Sequence, residues 1–180
     1  MIKIIGGTFR SRVIATPSED VTRPTKSSCR EGIFSALTDN IRNSKVLDLF
    51  AGSGAYGIES LSRGASFSIF NEVNANSYKI ISENIRSLKI ENCKITKLDY
   101  VEALAKYKEE NLVFDIVFLD PPYALDCYDF IINYMLDNSL LSKLGILVIE
   151  TNVKRDFSKY NFSKIKEYKY GYSLVYILRR

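Results

Sequence analysis

Residues 118–123 read Phe-Leu-Asp-Pro-Pro-Tyr, and the last four, Asp120, Pro121, Pro122 and Tyr123, combine groups that could hold a planar amine. The apolar run from Leu112 to Leu119 predicts a buried strand that ends on the Asp120 carboxylate. Pro121 and Pro122 lack the N–H that a strand ladder requires, so pairing must stop there. An exocyclic amine on a nucleobase is a weak nucleophile, because its lone pair is delocalised into the ring. Two acceptors, one for each N–H, would hold it rotated and pyramidal, with the lone pair facing a methyl donor. The Asp120 carboxylate is one such acceptor and the Pro121 carbonyl the other. Pro122 stiffens the turn that aims them, and Tyr123 offers a face on which a flipped base can stack. As the nitrogen becomes cationic, Asp120 would stabilise it and take the proton or pass it to water. A rigid turn with an aromatic plug is the alternative use of the same residues.

A second constellation precedes this one. In Asp-Leu-Phe-Ala-Gly-Ser-Gly-Ala-Tyr-Gly, residues 48–57, Gly52, Gly54 and Gly57 fit the pattern G-x-G-x-x-G after a strand and before a helix. Such glycines let the backbone turn tightly and approach a ligand. Glu72, 20 residues beyond Gly52, can accept hydrogen bonds from both hydroxyls of a ribose. A pyrophosphate at the helix N-terminus would be repelled by Asp48, which sits just before the loop. S-adenosylmethionine carries an ammonium and a sulfonium and no phosphate, so it suits Asp48 better than a dinucleotide does. Amides of the loop could also satisfy the Asp48 carboxylate, and the two uses are compatible. Asp99 closes the next strand; it could accept from an adenine amino group, and it could equally N-cap the helix that follows.

These residues need a scaffold that brings strand ends together. From residue 45 strands and helices alternate: strands at Lys45–Phe50, Ser66–Asn71, Cys93–Leu98, Leu112–Leu119 and Gly145–Glu150, and helices at 55–63, 75–90, 100–108 and 127–136. Tyr78, Ile81, Ile85 and Leu88 form one apolar stripe, and Gly64 can terminate the helix before it. The segment from Lys164 to Arg180, interrupted by Gly171, predicts a closing pair of antiparallel strands. Repeated β–α units imply a mostly parallel sheet with right-handed crossovers, and such sheets bind ligands at the carboxyl ends of their strands. Ahead of this body, residues 3–15 predict a hairpin with Gly6 and Gly7 near its turn. Thr25 is placed to N-cap a helix through Asp39, with Ile33, Phe34 and Leu37 on one face.

Composition narrows the chemistry. The chain of 180 residues has room for one domain with a substantial core. With no histidine and with Cys29, Cys93 and Cys127 far apart, a zinc or haem site and a His-activated nucleophile are not expected. Free thiols suit a reducing cytoplasm, and neither a leader peptide nor a membrane span is legible. The net charge of +4 is concentrated: in residues 1–45 basic residues outnumber acidic ones eight to four, and the rest is balanced. That asymmetry suggests a polyanion against the N-terminal side, or a solvated surface with chance clustering.

The four motifs, in this order and spacing, resemble class I S-adenosylmethionine-dependent methyltransferases. The Asp-Pro-Pro-Tyr motif is similar to that of the subset acting on adenine N6, cytosine N4 or guanine N2. The N-terminal stretches "IIGGTFRSRVIATP" and "TRPTKSSCREGIFSAL", followed by "DLFAGSGAYGIESLSRGA", resemble the RsmD family of bacterial methyltransferases acting on guanine N2 of 16S ribosomal RNA. The resemblance implies a Rossmann-like α/β fold: a mostly parallel seven-stranded sheet with a C-terminal antiparallel strand, helices on both faces, and an N-terminal β-hairpin and helix. It implies an RNA-facing extension over residues 1–42 and a methyltransferase domain over residues 43–180. Asp48, Phe50, Ala51, Gly52, Ser53, Gly54, Glu72 and Asp99 would bind S-adenosylmethionine. Asp120, Pro121, Pro122 and Tyr123 would act on the base. Arg10, Arg12, Arg23, Thr25, Lys26 and Arg30 would face RNA. Ser28 departs from the family, which usually has a basic residue there; Lys26 could compensate one turn earlier. The implied partner is 16S ribosomal RNA or an assembling small subunit, and a monomeric cytoplasmic enzyme without metal is expected.

Three other readings stay open on the residues alone. An amino-methyltransferase of another base, in RNA or DNA, uses the same motif, although the chain has no room for a separate DNA-recognition domain. A NAD-dependent oxidoreductase would leave Asp-Pro-Pro-Tyr without a task. A non-catalytic RNA-binding module would keep the glycine loop as a relic.

Overall fold

The computed structural model describes residues 1–17, 25–122 and 124–180, with the side chains of residues 25 and 26 also outside the description. Among these residues, two sheets and six helices follow the expected order, with the first expected helix divided in two. Strands β1 (Ile2–Lys3) and β2 (Val13–Ile14) form the N-terminal hairpin. Helices α1 (Thr25–Ala36) and α2 (Thr38–Ile41) come next. The body then alternates: β3 (Lys45–Asp48), α3 (Ala55–Ser62), β4 (Phe67–Asn71), α4 (Ala75–Leu88), β5 (Cys93–Thr96), α5 (Tyr100–Glu109), β6 (Phe114–Leu119), α6 (Tyr128–Asp137) and β7 (Leu141–Thr151). Strands β8 (Lys164–Tyr170) and β9 (Ser173–Arg179) close the chain.

The main sheet has the order β5-β4-β3-β6-β7-β9-β8. The first five strands in that order are parallel, and β9 pairs antiparallel with both β7 and β8. The order reverses between β3 and β6, and the crevice at such a switch point is where open α/β sheets bind ligands.

Period-two alternation divides the core into two layers. Val46, Ile116, Phe118, Ile146, Val148, Val175 and Ile177 join Ile33, Phe34, Ile58 and Ile81 from α1, α3 and α4 on one face. Leu47, Val117, Leu119, Leu147, Ile149, Tyr176 and Leu178 join Ala103, Leu104, Ile131 and Ile132 from α5 and α6 on the other. The central strands therefore read as continuous apolar runs, because both faces are covered.

Local chemistry explains most boundaries. Asn74 caps α4, its Oδ1 accepting from the amides of Asn76 and Ser77. Helix α3 ends as expected at Gly64, whose φ of 97° lets its N–H reach Leu61 O while Ala65 N–H reaches Ser60 O. The helix expected through Asp39 is instead broken at Leu37. Thr38 Oγ1 bonds back to the carbonyls of Phe34 and Ser35, a side-chain competition that interrupts helices. The Thr25 cap falls on a side chain outside the described residues, although the helix backbone begins at Thr25. Strand β7 starts earlier than expected, at Leu141, because Leu141 pairs with Phe114 before an irregularity restores register at Ile116 and Ile146.

The N-terminal segment is bound into this core. Ile4, Ile14, Cys29 and Ile33 are buried in the same layer as Val46 and Ile58. Glu59 of α3, fully buried, accepts from the amides of Ile5 and Gly6 at 2.8 Å each and from Arg63 Nε at 2.7 Å. Gly7 has φ 75°, and a Cβ there would stand 1.7 Å from Ser62 O, so only glycine permits this approach.

Candidate active site at the carboxyl ends of the strands

A cavity of about 470 Å³ lies where β3, β4, β6 and β7 end, within the usual range for small-molecule sites. Each strand delivers a polar group to it. The segment after β3 brings Phe50, Ala51, Gly52 and Ser53, β4 brings Asn71 and then Glu72, and Asp99 follows β5. Asp120, Pro121 and Pro122 follow β6, and β7 contributes Glu150.

The glycine loop is built by three different demands. Gly52 and Gly54 have φ of 55° and 81°. A Cβ on Gly52 would meet nothing within 4 Å, so that residue opens the loop toward the cavity. A Cβ on Gly57 would lie 2.2 Å from Phe70 Cε1, so the third glycine serves the packing of α3 on β4. Glu72 pins the loop: its Oε2 accepts from Gly52 N–H and its Oε1 from Asn74 N–H, both at 2.8 Å. Buried Asn71 braces the neighbouring ends, donating to the carbonyls of Leu49 and Leu98 and accepting from Thr96 Oγ1.

Asp48 and Gly54 are not in the cavity wall. Asp48 is 2% exposed beneath the loop, where Oδ2 accepts from Gly57 N–H at 3.0 Å. Burial pushes its pKa up from 3.8 to about 7; the Gly57 amide opposes the shift and the charge of Glu72 adds to it. The loop-amide use of Asp48 is thus present. Asp99 is exposed and caps α5, Oδ1 accepting from Val101 N–H. Tyr100 beside it packs 5.7 Å from Phe50, giving that side of the cavity an aromatic wall.

At the end of β6, Asp120 is half-buried, Pro121 is buried and Pro122 is exposed, with the Pro122 carbonyl accepting from Leu125 N–H at 2.8 Å. Tyr123 lies outside the described residues, as do Arg23 and the side chains of Thr25 and Lys26. Arg10 and Arg12 are exposed in the loop between β1 and β2, and Ser28 is exposed on α1.

Arg30, expected to face RNA, is set apart from the exposed arginines of the N-terminal segment. It is 4% exposed and stands in the cavity wall. Its Nη2 donates to Lys3 O at 2.7 Å and its Nε is 4.0 Å from Glu59 Oε2. The helical stripe of Ile33 and Phe34 faces the core, and this turns Arg30 inward, where burial lowers its pKa.

Tyr56, Asn71 and Glu150 are among the wall residues that carried no expectation. Tyr56 stacks on Phe118, with centroids 4.9 Å apart, and donates to Glu150 Oε2 at 2.6 Å. Burial and the charges of Glu150 and Asp120 push the Tyr56 pKa far up, so the phenol stays a donor. Glu150 ends its apolar strand on an acid, the same signal that singled out Asp120. Tyr56 and Asn71 give no such signal, since each looks like an ordinary helix or strand-end residue.

Among the described residues no group of three or more potential ligands could hold a metal ion, and no helix is long and apolar enough to cross a membrane.

A family model described as "Conserved hypothetical protein 95" matches residues 2–179. The chain is 35% identical over 154 residues to "Ribosomal RNA small subunit methyltransferase D" of Buchnera aphidicola, covering 86% of this chain and 80% of that protein. A solved Escherichia coli structure, proposed as the methyltransferase yhhF, aligns with a TM-score of 0.89 at 31% identity over 99% of this chain and 97% of that one. The T. thermophilus 16S rRNA N2 G1207 methyltransferase RsmC, solved with AdoMet and guanosine, shares the fold at a TM-score of 0.73. Its identity is 20%, over 92% of this chain and 45% of that one.

Proposed function

The chain belongs to the RsmD family, and we propose that it methylates the exocyclic N2 amine of a guanine in 16S ribosomal RNA, using S-adenosylmethionine. The observation that carries this reading is the convergence of Asp120 and Pro121 with the Gly52–Glu72 loop in one cavity.

The cavity fits the methyl donor on its own chemistry. Gly52 leaves open space for close approach, Glu72 is placed at the end of β4 for ribose hydroxyls, and Asp99 with Phe50 and Tyr100 suits an adenine. Asp48, beneath the loop, makes that end of the site unsuited to phosphate and compatible with a cation. When bound, S-adenosylmethionine supplies an electrophilic methyl group on its sulfonium.

The chain's own residues do the rest. Asp120 accepts one N–H of the target amine and the Pro121 carbonyl accepts the other, which turns the lone pair toward the methyl group. Positive charge grows on nitrogen during transfer, and Asp120 stabilises it. The lost proton passes to Asp120 or through it to water. Tyr123 stacks on the extruded base. Arg10 and Arg12, with Arg23, Thr25 and Lys26, contact the RNA backbone. Support for ribosomal RNA as substrate comes from the relatives' names, and support for an amine target from the motif at the end of β6.

Substitution Asp120→Ala tests the mechanism. The variant should bind S-adenosylhomocysteine as the wild type does and transfer methyl groups at least about 10²-fold more slowly, the range of a lost transition-state contact. Near-normal turnover would refute amine positioning by Asp120. In parallel, S-adenosylhomocysteine should raise the melting temperature and NAD should not.

A further inference from the structure

Two charged residues in the cavity wall are not used by the mechanism above. Asp120 and Glu150 follow the last in-register pair of their strands, Leu119 and Ile149, so the two carboxylates stand side by side on neighbouring strands. They share a face with Phe118 and Val148, two residues back along each strand. Both impose their charge on Tyr56 and on Cys29 of α1, which places them within one electrostatic neighbourhood. Glu150 is 5% exposed and fixed at both ends, by the Tyr56 hydroxyl on Oε2 and by the Tyr128 hydroxyl on its main-chain oxygen. Arg30 completes the wall. It is almost fully buried, and among the described residues its Nε has no hydrogen-bond partner. The Nε itself is enclosed beside Glu59, so the guanidinium meets the cavity through a terminal nitrogen, and there a ligand acceptor can pair with a charge that burial makes costly.

We propose that Glu150 and Arg30 read the edge of the target base, Glu150 accepting the N1–H of guanine and Arg30 donating to O6, beside the N2 amine held by Asp120. The inference rests on the guanine-N2 reading and deepens it. Guanine presents an acceptor and adjoining donors, O6, N1–H and N2–H₂, and the wall presents a guanidinium and two carboxylates. With its N6 amine at Asp120, adenine would set its N1 lone pair against Glu150 and a C–H against Arg30. With its N4 amine there, cytosine would set its N3 lone pair against Glu150. Either base turns a lone pair toward a buried carboxylate, which is how polar sites reject near-isosteres. Tyr56 is a positioning residue in this scheme: it occupies one Glu150 oxygen and directs the other toward the base.

The test uses RNA carrying the guanine that the wild type methylates, and the same RNA with 2-aminopurine there. That analogue keeps the N2 amine and lacks both O6 and N1–H. Wild-type kcat/KM should fall about 10⁴-fold on the analogue. Glu150→Gln should lose about 10- to 100-fold on guanine RNA, and its preference for guanine over 2-aminopurine should shrink by at least about tenfold, because a glutamine amide can donate to the analogue's N1. Arg30→Met should lose activity on guanine RNA with little further loss on the analogue. Affinity for S-adenosylhomocysteine and the melting temperature show whether each variant is folded. An unchanged preference in a folded Glu150→Gln protein would mean that Glu150 only anchors Tyr56, and would overturn the proposal. Equal wild-type rates on the two RNAs would overturn it without variants and leave guanine-N2 methylation standing. Failure of the wild type to methylate guanine N2 would overturn both.

Discussion

Asp48 is a carboxylate held under a glycine loop at an energetic cost, and replacing it with asparagine exposes that cost. In the folded protein its pKa is raised from 3.8 to about 7, first because burial removes water and second because Glu72 is near. The folded state therefore binds this proton more tightly than the unfolded state. Below about pH 4 the acid is protonated in both states and nothing is lost. As pH rises from about 4 to about 7 the unfolded chain ionises first, so stability falls, and above about 7 the full cost stands. Three pKa units correspond to about 4 kcal/mol. Asp48→Asn keeps an oxygen for the Gly57 amide and removes the charge. The stability difference between variant and wild type should thus move in the variant's favour by up to about 4 kcal/mol between pH 4 and pH 8. That corresponds to about 8–16 °C in Tm for a chain of this size. Thermal unfolding without ligand, at half-unit pH steps, measures it directly. A difference independent of pH would refute the assignment of a strained, ionisable Asp48. The same variant should bind S-adenosylhomocysteine more weakly, since an ammonium group near the loop loses a nearby charge.

Two further perturbations address the N-terminal segment. Glu59→Gln should cost about 3–5 kcal/mol, because one amide oxygen cannot replace two carboxylate oxygens that serve Ile5, Gly6 and Arg63; the Ile5 and Gly6 amides should then exchange faster with solvent, and unchanged protection would contradict the docking scheme. Reversing exposed Arg10 and Arg12 to glutamate should weaken RNA binding and flatten its salt dependence by about two phosphate contacts. Affinity for S-adenosylhomocysteine should stay constant, and equal loss of both affinities would indicate misfolding.

The alternation of strands and helices was legible because buried parallel strands are apolar throughout and their helices carry single stripes. The site was legible wherever an acid stands in or just past a strand: Asp99, Asp120 and Glu72 follow the ends of theirs, and Asp48 interrupts an otherwise apolar one. Glu150 carries the same mark and had no motif around it to give the mark meaning. The burial of Arg30 has a physical reason that its charge does not announce. Positive charge predicts solvent, but helical phase is set by Ile33 and Phe34, and a guanidinium one turn away from them had to go inward. Tyr56 depends on a contact across 94 residues, Tyr56 to Glu150, and no local pattern encodes a partner at that separation. The break at Leu37 follows from one hydroxyl, Thr38 Oγ1, choosing main-chain carbonyls over solvent.

The most direct measurement is the position of the methyl group on the product. Ribosomal RNA from cells lacking this activity, incubated with the protein and labelled S-adenosylmethionine, should gain label in the 16S molecule. Digestion to nucleosides should give N2-methylguanosine as the labelled product. Label on adenine N6 or cytosine N4, or in no RNA at all, would contradict the account.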